Sequence, residues 1–135
     1  MSETPWNPTP DQPWSPPLQG FTLYQKALVW ERAVKLALKP YNLTHLQWLV
    51  LTYLAGLANV NHKPTVSQIA TNLQLDPPTT TQVLQALTRK HLVHKLRQGN
   101  AFQVSATPEG RIVAVKTRGL VLGVEELIHS IPNNL

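Results

Sequence analysis

The residues best suited to chemistry in this sequence lie mainly between positions 79 and 97, where hydroxyl, amide and cationic side chains recur. An amide can bond bidentately to adenine, a threonine methyl group can contact thymine, and hydroxyls or cations suit phosphate oxygens. The pattern therefore predicts a nucleic-acid interface rather than a reaction centre. We expect base contacts from Thr79, Thr81, Gln82 and Gln85, and backbone contacts from Ser67, Arg89, Lys95 and Arg97.

The alternative is a solvated polar surface that contacts nothing. Three consecutive threonines, Thr79, Thr80 and Thr81, form helices poorly because β-branched side chains lose rotamer freedom there. A helix surface with a purely structural role would more often carry Glu, Lys or Ala. The residue types therefore favour the binding interpretation.

Positive charge is concentrated around these residues. The chain of 135 residues carries 12 Lys+Arg and 7 Asp+Glu, a formal net charge of +5. Residues 63–118 contain eight basic and two acidic residues, a net charge of +6, so the rest of the chain is slightly acidic. A basic face can simply be solvated, but this one coincides with a predicted helix and hairpin. Duplex DNA is therefore the partner we expect.

Local signals define the helices that would hold these side chains. Apolar residues at helical spacing predict a first helix over residues 22–39, which Pro40 ends. A capping box formed by Thr44 and Gln47 begins the second helix.

A helix-turn-helix follows in the sequence. Thr65 and Gln68 form another capping box, which begins a short third helix. Asp76 is a good N-cap and Pro77 a good first helical residue, so we expect a fourth helix to about residue 90. The residues expected to face inward from this helix are Thr80, Val83, Leu84 and Leu87.

Two strand-like runs come next, over residues 92–96 and 101–106, with a predicted turn at residues 97–100. Thr107 caps a last helix that ends near Pro132. A hairpin directly after a helix-turn-helix makes a winged helix, whose second helix-turn-helix element enters the major groove. The predicted fold is therefore mainly α with a small two-stranded β-wing.

The first and last predicted helices carry more apolar residues than one buried face needs, which predicts a homodimer. We assign residues 21–135 to one winged-helix domain, with residues 43–107 as its DNA-binding core and residues 21–40 and 108–131 as an α-helical dimerisation region. The surplus residues are Leu28, Val29 and Leu36 in the first helix and Val113, Val115, Leu120, Val121, Leu122 and Val124 in the last, where Gly119 and Gly123 are one turn apart.

Residues 1–20 form an arm rich in Pro and Trp, with six of the 12 prolines and the tryptophans Trp6 and Trp14. Such a segment favours irregular extended chain. It is either a disordered tail or an arm that docks its tryptophans into a groove on the body or on a second copy.

Four segments resemble the MarR family of winged-helix regulators, over about residues 22–128. They correspond to the second helix, the first helix-turn-helix element, the recognition helix with its exit, and the hairpin return: Leu43-Thr44-x-x-Gln47-Trp48-x-x-Leu51-x-x-Leu54, Ser67-Gln68-Ile69-Ala70-x-x-Leu73-x-Leu75, Thr79-Thr80-Thr81-Gln82-Val83-Leu84-x-x-Leu87-x-x-Lys90-x-Leu92-Val93 and Val104-x-Ala106-Thr107-Pro108-Glu109-Gly110. The resemblance implies a dimeric DNA-binding transcription regulator. Such regulators are often released from DNA by a small ligand bound between the dimerisation and DNA-binding regions.

The sequence departs from the family pattern at several points. The family's Asp-x-Arg at the wing falls on Gln98-Gly99-Asn100, so the Arg that usually reaches the minor groove is absent, and the hairpin is shorter than usual. His91 stands where the recognition helix usually exits through Gly, and Gln82 stands where a basic or polar residue often reads a base. The chain ends soon after Pro132, so we expect a dimer formed without the family's last helix. We also expect Arg97 and Lys95 to contact phosphates with little readout of flanking bases.

Other functions find less support. The chain has no Cys, its five His form no close ligand pattern, and it shows no phosphate loop, dinucleotide motif or Ser/His/Asp arrangement in a credible context. We therefore expect no cofactor, no metal and no enzymatic activity. No run approaches the length of a membrane span, so we expect a soluble cytoplasmic protein.

Two questions stay open at this level. Trp30, Trp48 and Tyr53 either line a small-molecule effector pocket between the first two helices or are ordinary core aromatics. The protein itself is either a DNA-binding regulator or a winged-helix module for protein–protein interaction with weak or non-specific DNA binding. In the second case the missing wing Arg reflects lost DNA reading, and the arm recruits a protein.

Overall fold

A computed structural model of the chain describes residues 18–129. The proline-rich segment through position 17, with both of its tryptophans, lies outside the described residues, as do residues 130–135. The elements are α1 (Leu18–Leu38), a 3-10 turn (Lys39–Tyr41), α2 (His45–Ala58), α3 (Val66–Leu73), α4 (Pro77–Arg89), β1 (Val93–Gln98), β2 (Ala101–Ala106) and α5 (Pro108–His129). Over these residues, the helices and the two-stranded antiparallel sheet confirm the predicted mainly α fold with a small β-wing.

The starts of α2, α3 and α4 follow the predicted caps. In each capping box the threonine hydroxyl accepts a hydrogen bond from a glutamine backbone N–H, at 3.2 Å for Thr44 and 3.3 Å for Thr65. The glutamine side chain accepts one from the threonine backbone N–H in return. Asp76 Oδ1 accepts a bond of 2.7 Å from the backbone N–H of Thr79. These bonds satisfy N–H groups that have no partner within the first helical turn.

Helix α1 begins at Leu18, four residues before the predicted start, and ends at Leu38 rather than at Lys39. Two prolines precede Leu18 in the sequence. Proline lacks a backbone N–H and restricts the residue before it, but it does not restrict helix formation by the residues that follow it. The apolar periodicity begins several residues after the helix does, so it placed the predicted start of α1 too late in the sequence.

Helix α2 lies at the centre of the fold, where it packs against α1, α4, β2 and α5. Its buried residues are Val50, Leu51 and Leu54. The elements around it contribute Val34 and Leu38 from α1, Ile69 from α3, Val83, Leu84 and Leu87 from α4, Val93 and Val104 from the strands, and Ala114, Val121 and Val124 from α5. One apolar cluster therefore joins the helix-turn-helix, the hairpin and the two long helices.

Backbone contacts fix the joint between α4 and β1. His91 has a left-handed φ of 61° and ends the helix, and the N–H of Leu92 donates to the carbonyl of Leu87 at 3.0 Å. The Leu92 carbonyl accepts a bond of 3.0 Å from the N–H of Thr107. A Cβ on Gly110 would lie 2.0 Å from that same carbonyl oxygen. Glycine is therefore required at position 110 for α5 to pass this close to the joint.

Helices α1 and α5 pack against each other, yet both expose large apolar side chains. Leu23 of α1 is 70% exposed and Val115 of α5 is 75% exposed. An added Cβ on Gly119 or Gly123 of α5 would meet no atom within 4 Å outside its chain neighbours and the nearby backbone of its own helix. Within residues 18–129, these two helices therefore keep apolar surface and open space that no other described residue covers.

Candidate nucleic-acid interface

Helix α4 separates the predicted contact residues from the residues that hold it in the core. Its buried residues are Thr80, Val83, Leu84 and Leu87, the four that the helical spacing predicts to face inward. On its outer side Gln82, Gln85 and Arg89 are exposed, and Thr79 and Thr81 are half-buried. The inner face of the helix is therefore packed in the core, while its outer face exposes two amides and a guanidinium to solvent.

The three consecutive threonines occupy three different environments. The side chain and backbone of Thr79 both bond to the Asp76 carboxylate, and these bonds hold the pKa of Asp76 below its ordinary value. Thr80 is fully buried, and its hydroxyl donates to the backbone carbonyl of Asp76 at 2.9 Å. Thr81 is half-buried on the outer side. Structural roles thus account for two of the three threonines, and the Gln side chains are the more accessible groups.

Helix α3 is attached to the wing through the residues that precede it. The carbonyl of Pro64 accepts a hydrogen bond of 2.8 Å from the N–H of Val104, and Thr65 forms an antiparallel bridge with Gln103. Ser67 is exposed in the first turn of α3. Its hydroxyl is therefore carried by a turn that is tied to strand β2.

The hairpin turn is tighter than the sequence predicts. Gln98 pairs with Ala101, so the turn consists of Gly99 and Asn100, with a φ of 64° at Gly99. Arg97 and Gln98 are strand residues, and the predicted turn over residues 97–100 was wrong at these two positions. A two-residue hairpin needs a positive φ at its first central residue, which glycine adopts without strain, so strand pairing continues up to Gly99.

Lys95 and Arg97 lie on one face of β1, because alternate residues of a strand share a face. The buried Val93 begins that face, and the two cations follow it towards the turn. Arg97 pairs with Phe102 across the hairpin, and its guanidinium carbon lies 5.7 Å from the centroid of the phenyl ring. Its Nε donates to the carbonyl of Gly99 at 3.2 Å.

Lys90 has a role that sequence reasoning missed. Its ammonium group donates to Gln47 Oε1 at 2.7 Å and to the carbonyl of Asn42, so it connects the end of α4 to the start of α2. Burial, and then the neighbouring charge of Arg89, lowers the pKa of Lys90 below its ordinary value. The sequence signal was weak: a cation at a helix C-terminus, where carbonyl groups lack partners.

The basic residues of the segment 63–118 do not all belong to the winged helix-turn-helix. Three of them, Arg111, Lys116 and Arg118, lie on α5, where Arg111 Nη2 donates to Asn59 Oδ1 at 3.2 Å. Residues 63–106 keep five Lys/Arg against a single acid, Asp76. The segment that contains α3, α4 and the wing is thus still cationic, with a net charge of +4 from these counts.

A cleft of about 1110 Å³ separates α4 from α1 and the start of α2. From α4, Gln82 and Arg89 line one wall. The charged residues around it are Glu31, Lys35, Lys39, Arg89 and Lys90, so cations outnumber the acid. Three of the candidate DNA contacts, Thr79, Gln82 and Arg89, therefore also border a concave, basic surface.

The three aromatic residues considered for an effector pocket pack partly against the core. Trp30 and Trp48 both contact the His45 ring, with centroid distances of 4.8 Å and 6.4 Å. Partial burial lowers the pKa of His45, and the charge of Glu31 opposes that shift. The hydroxyl of Tyr53 accepts a bond of 2.9 Å from Asn72 Nδ2, so Tyr53 connects α2 to α3. In the described part of the chain, other residues line the cleft beside α4.

Two further findings concern residues 18–129. No helix in this segment is long and apolar enough to cross a membrane. The same residues bring together no group of three His, Asp or Glu side chains that could hold a metal ion.

Comparisons with known proteins place the fold. No protein-family model and no curated protein sequence matches the chain. Among solved structures, the reduced form of MarR from E. coli has a TM-score of 0.75 at 20% identity, covering 84% of each chain. MepR of Staphylococcus aureus, a transcription regulator of the multidrug efflux pump MepA, has a TM-score of 0.71 at 20% identity, again over 84% of each chain.

The Mycobacterium tuberculosis MarR family protein Rv2887 has a TM-score of 0.69 at 22% identity, covering 81% of this chain and 77% of that one. At these identities the likeness establishes the fold. The winged-helix architecture implied by the four MarR-like sequence segments is therefore confirmed.

Proposed function

We propose that this protein is a sequence-specific transcription regulator that binds double-stranded DNA as a homodimer. The observation that carries the proposal is the arrangement of α4. Its inner face is fixed in the core, while Gln82, Gln85 and Arg89 are exposed beside a cationic hairpin. A packed helix that presents amides and a guanidinium is suited to the major groove.

Relatives of the same fold support a DNA-binding role. Rv2887 has been solved in complex with DNA, and a mutant of E. coli MarR has been solved in complex with operator DNA. By analogy with winged helices in general, α4 of this chain would enter the major groove and its hairpin would lie along the flanking duplex.

The roles within the interface follow from chemistry and exposure. We assign base contacts to Gln82 and Gln85, whose amides donate and accept at once, with Thr79 and Thr81 supplying shorter contacts. Phosphate contacts fall to the exposed hydroxyl of Ser67 and to three cations, Arg89, Lys95 and Arg97.

The test is a titration of labelled duplexes, followed by fluorescence anisotropy, at several salt concentrations. One duplex has a random sequence and the other comes from selection of bound sequences in a random pool. Since each neutralised phosphate releases counterions, log affinity should fall linearly with log salt, by about 0.9 per contact. Affinity that is unchanged from low to physiological salt, or equal on the two duplexes, would contradict the proposal.

A matched pair of cation variants localises the interface. Arg89→Ala removes an exposed cation from α4, and Lys116→Ala removes an exposed cation from α5. The proposal expects a loss of affinity and a smaller salt slope for Arg89→Ala only. Equal losses would mean that binding follows total charge rather than the winged helix-turn-helix.

The homodimer is supported by the apolar surface of α1 and α5, which would be costly to leave in water. Leu23, Val115 and Leu122 are 70%, 75% and 49% exposed. Sedimentation should therefore show a dimer at micromolar concentration, and Leu122→Glu should produce a monomer. Val60→Glu is the control, since Val60 is 71% exposed but follows α2, outside both helices. A monomeric unaltered protein would overturn this part of the proposal.

A small-molecule effector is supported by the basic cleft between α4 and α1. A ligand there would touch Gln82 and Arg89, and would therefore compete with DNA for the same side chains. Since cations predominate around the cleft, the effector we propose is a small organic anion. Small carboxylates should lower DNA affinity in the anisotropy assay, and Lys39→Ala should reduce that inhibition. If none of these carboxylates changed DNA binding, the proposal of an anionic effector would be contradicted.

A further inference from the structure

The outer end of the hairpin holds its one arginine by two contacts. Arg97 and Phe102 are directly paired in the strand register, and the guanidinium carbon is 5.7 Å from the ring centroid, within the range of a cation–π interaction. The Nε of Arg97 also donates to the carbonyl of Gly99 at 3.2 Å. The ring contact places the guanidinium above the phenyl group, and the bond to Gly99 sets the rotation of the guanidinium.

Neither contact neutralises the arginine. A phenyl ring and a backbone carbonyl attract the cation but carry no formal charge, so the positive charge stays available to an anion. The Nε–H donates to the carbonyl of Gly99, so the N–H groups of the two terminal nitrogens remain for another acceptor. A planar pair of N–H donors matches the geometry of a phosphate group.

Phe102 has little reason to be aromatic for packing alone. It is 50% exposed, whereas Val104, two residues further along the same strand face, is fully buried. The ring thus lies past the end of the core contact, where a phenylalanine gains little from burial. The contact of the Phe102 ring with the Arg97 guanidinium is the interaction that explains an aromatic residue here.

We propose that Phe102 is a positioning residue, which presets the Arg97 guanidinium to bind a phosphate group of duplex DNA. The inference rests on the proposed DNA-binding function. In a long cationic side chain, rotamer freedom is lost when a phosphate is bound. By restricting Arg97 in the free protein, Phe102 reduces that loss, and affinity rises without an additional contact.

The experiment is a double-mutant cycle on the random-sequence duplex, read by anisotropy at several salt concentrations. Phe102→Leu keeps an apolar side chain but removes the ring, and should weaken binding about two- to fivefold, the scale of an exposed cation–π interaction. Phe102→Tyr keeps the ring and should restore the affinity. In the Arg97→Ala background, Phe102→Leu should have no further effect.

Leu96→Ala is the control for hairpin stability. Leu96 is 38% exposed and lies on the opposite face of the same strand, so its loss weakens the hairpin without touching Arg97. It should change DNA affinity less than Phe102→Leu does.

Three outcomes overturn the inference. They are an unchanged DNA affinity for Phe102→Leu, an equal loss of affinity for Phe102→Leu with and without Arg97, and a loss for Leu96→Ala as large as that for Phe102→Leu. In each case the unaltered protein still binds duplex, so the proposed function stands. If the unaltered protein binds no duplex, the proposed function fails and this inference fails with it.

Discussion

Helix α4 and the β1–β2 hairpin both carry candidate DNA contacts, but they are held in place in different ways. Four residues of α4 are buried, and Lys90 connects the end of the helix to the start of α2. Strand β1 has one buried residue, Val93, and its remaining residues are exposed. The helix is therefore oriented by the core, whereas the outer hairpin is oriented by its own cross-strand contacts.

This difference separates two kinds of DNA contact. A side chain that reads a base must be placed accurately, which a helix packed along its whole length can do. A side chain that binds phosphate carries no sequence information, so displacing it changes affinity without changing sequence preference. We therefore expect sequence readout from α4 and a sequence-independent contribution from the hairpin.

Stability gives the largest contrast between the two regions. Leu84 of α4 is fully buried, so Leu84→Ala should lower the free energy of unfolding by about 3 kcal/mol through lost burial and the cavity left behind. Leu96→Ala in the hairpin should cost less than about 1 kcal/mol, because Leu96 is already 38% exposed. Urea unfolding measures both variants. Similar losses would show that the hairpin is as firmly packed as the helix.

The same contrast explains what the sequence could predict. The caps of α2, α3 and α4 depend on residues three positions apart, such as Thr65 with Gln68, so a short stretch of sequence predicts them. The inward face of α4 follows from helical spacing. The contact of Arg97 with Phe102 depends on strand register, and that of Lys90 with Gln47 joins residues 43 apart in the chain. No local pattern contains the Lys90 contact, whereas the Arg97 contact spans five positions and follows once the two-residue turn at Gly99 and Asn100 is recognised.

Base readout should depend on α4. Gln82→Ala should weaken binding to a selected site by about 1–3 kcal/mol, the scale of one good base contact, and should change binding to random duplex little. Competition between the two duplexes in the anisotropy assay measures the ratio. A matched Gln103→Ala variant removes a half-buried amide from β2 and should preserve the ratio. Equal losses on both duplexes would show that Gln82 does not read a base.

The hairpin should contribute through charge. Arg97→Ala should weaken binding by a similar factor on every duplex and lower the salt slope by about 0.9, since one phosphate contact is lost. Affinities on duplexes that differ only in flanking base pairs, measured across salt, provide the check. If Arg97→Ala removed a preference among flanking sequences and left the slope unchanged, the hairpin would be a groove reader and the contrast with α4 would not hold.

The smallest effect concerns His91, which joins the two regions. Its φ of 61° places a side chain in the left-handed conformation, at a cost of about 1–2 kcal/mol that glycine avoids. Glycine has more conformational freedom in the unfolded chain, which offsets about 0.5–1 kcal/mol of that gain. His91→Gly should therefore raise the free energy of unfolding by about 0.5–1 kcal/mol in urea titrations.

Gln74→Gly is the matched control, because Gln74 ends α3 with a φ of 56° and is not part of the joint between α4 and β1. Both variants should gain stability to a similar extent. DNA affinity and salt slope should be unchanged for His91→Gly, because the Thr107 hydroxyl bonds to the His91 backbone carbonyl, which glycine retains. If the salt slope decreased for His91→Gly but not for Gln74→Gly, His91 would be the residue that stiffens the joint between α4 and β1. It would thereby position the hairpin. The wing would then depend on α4 for its orientation, and the two regions would act as one unit.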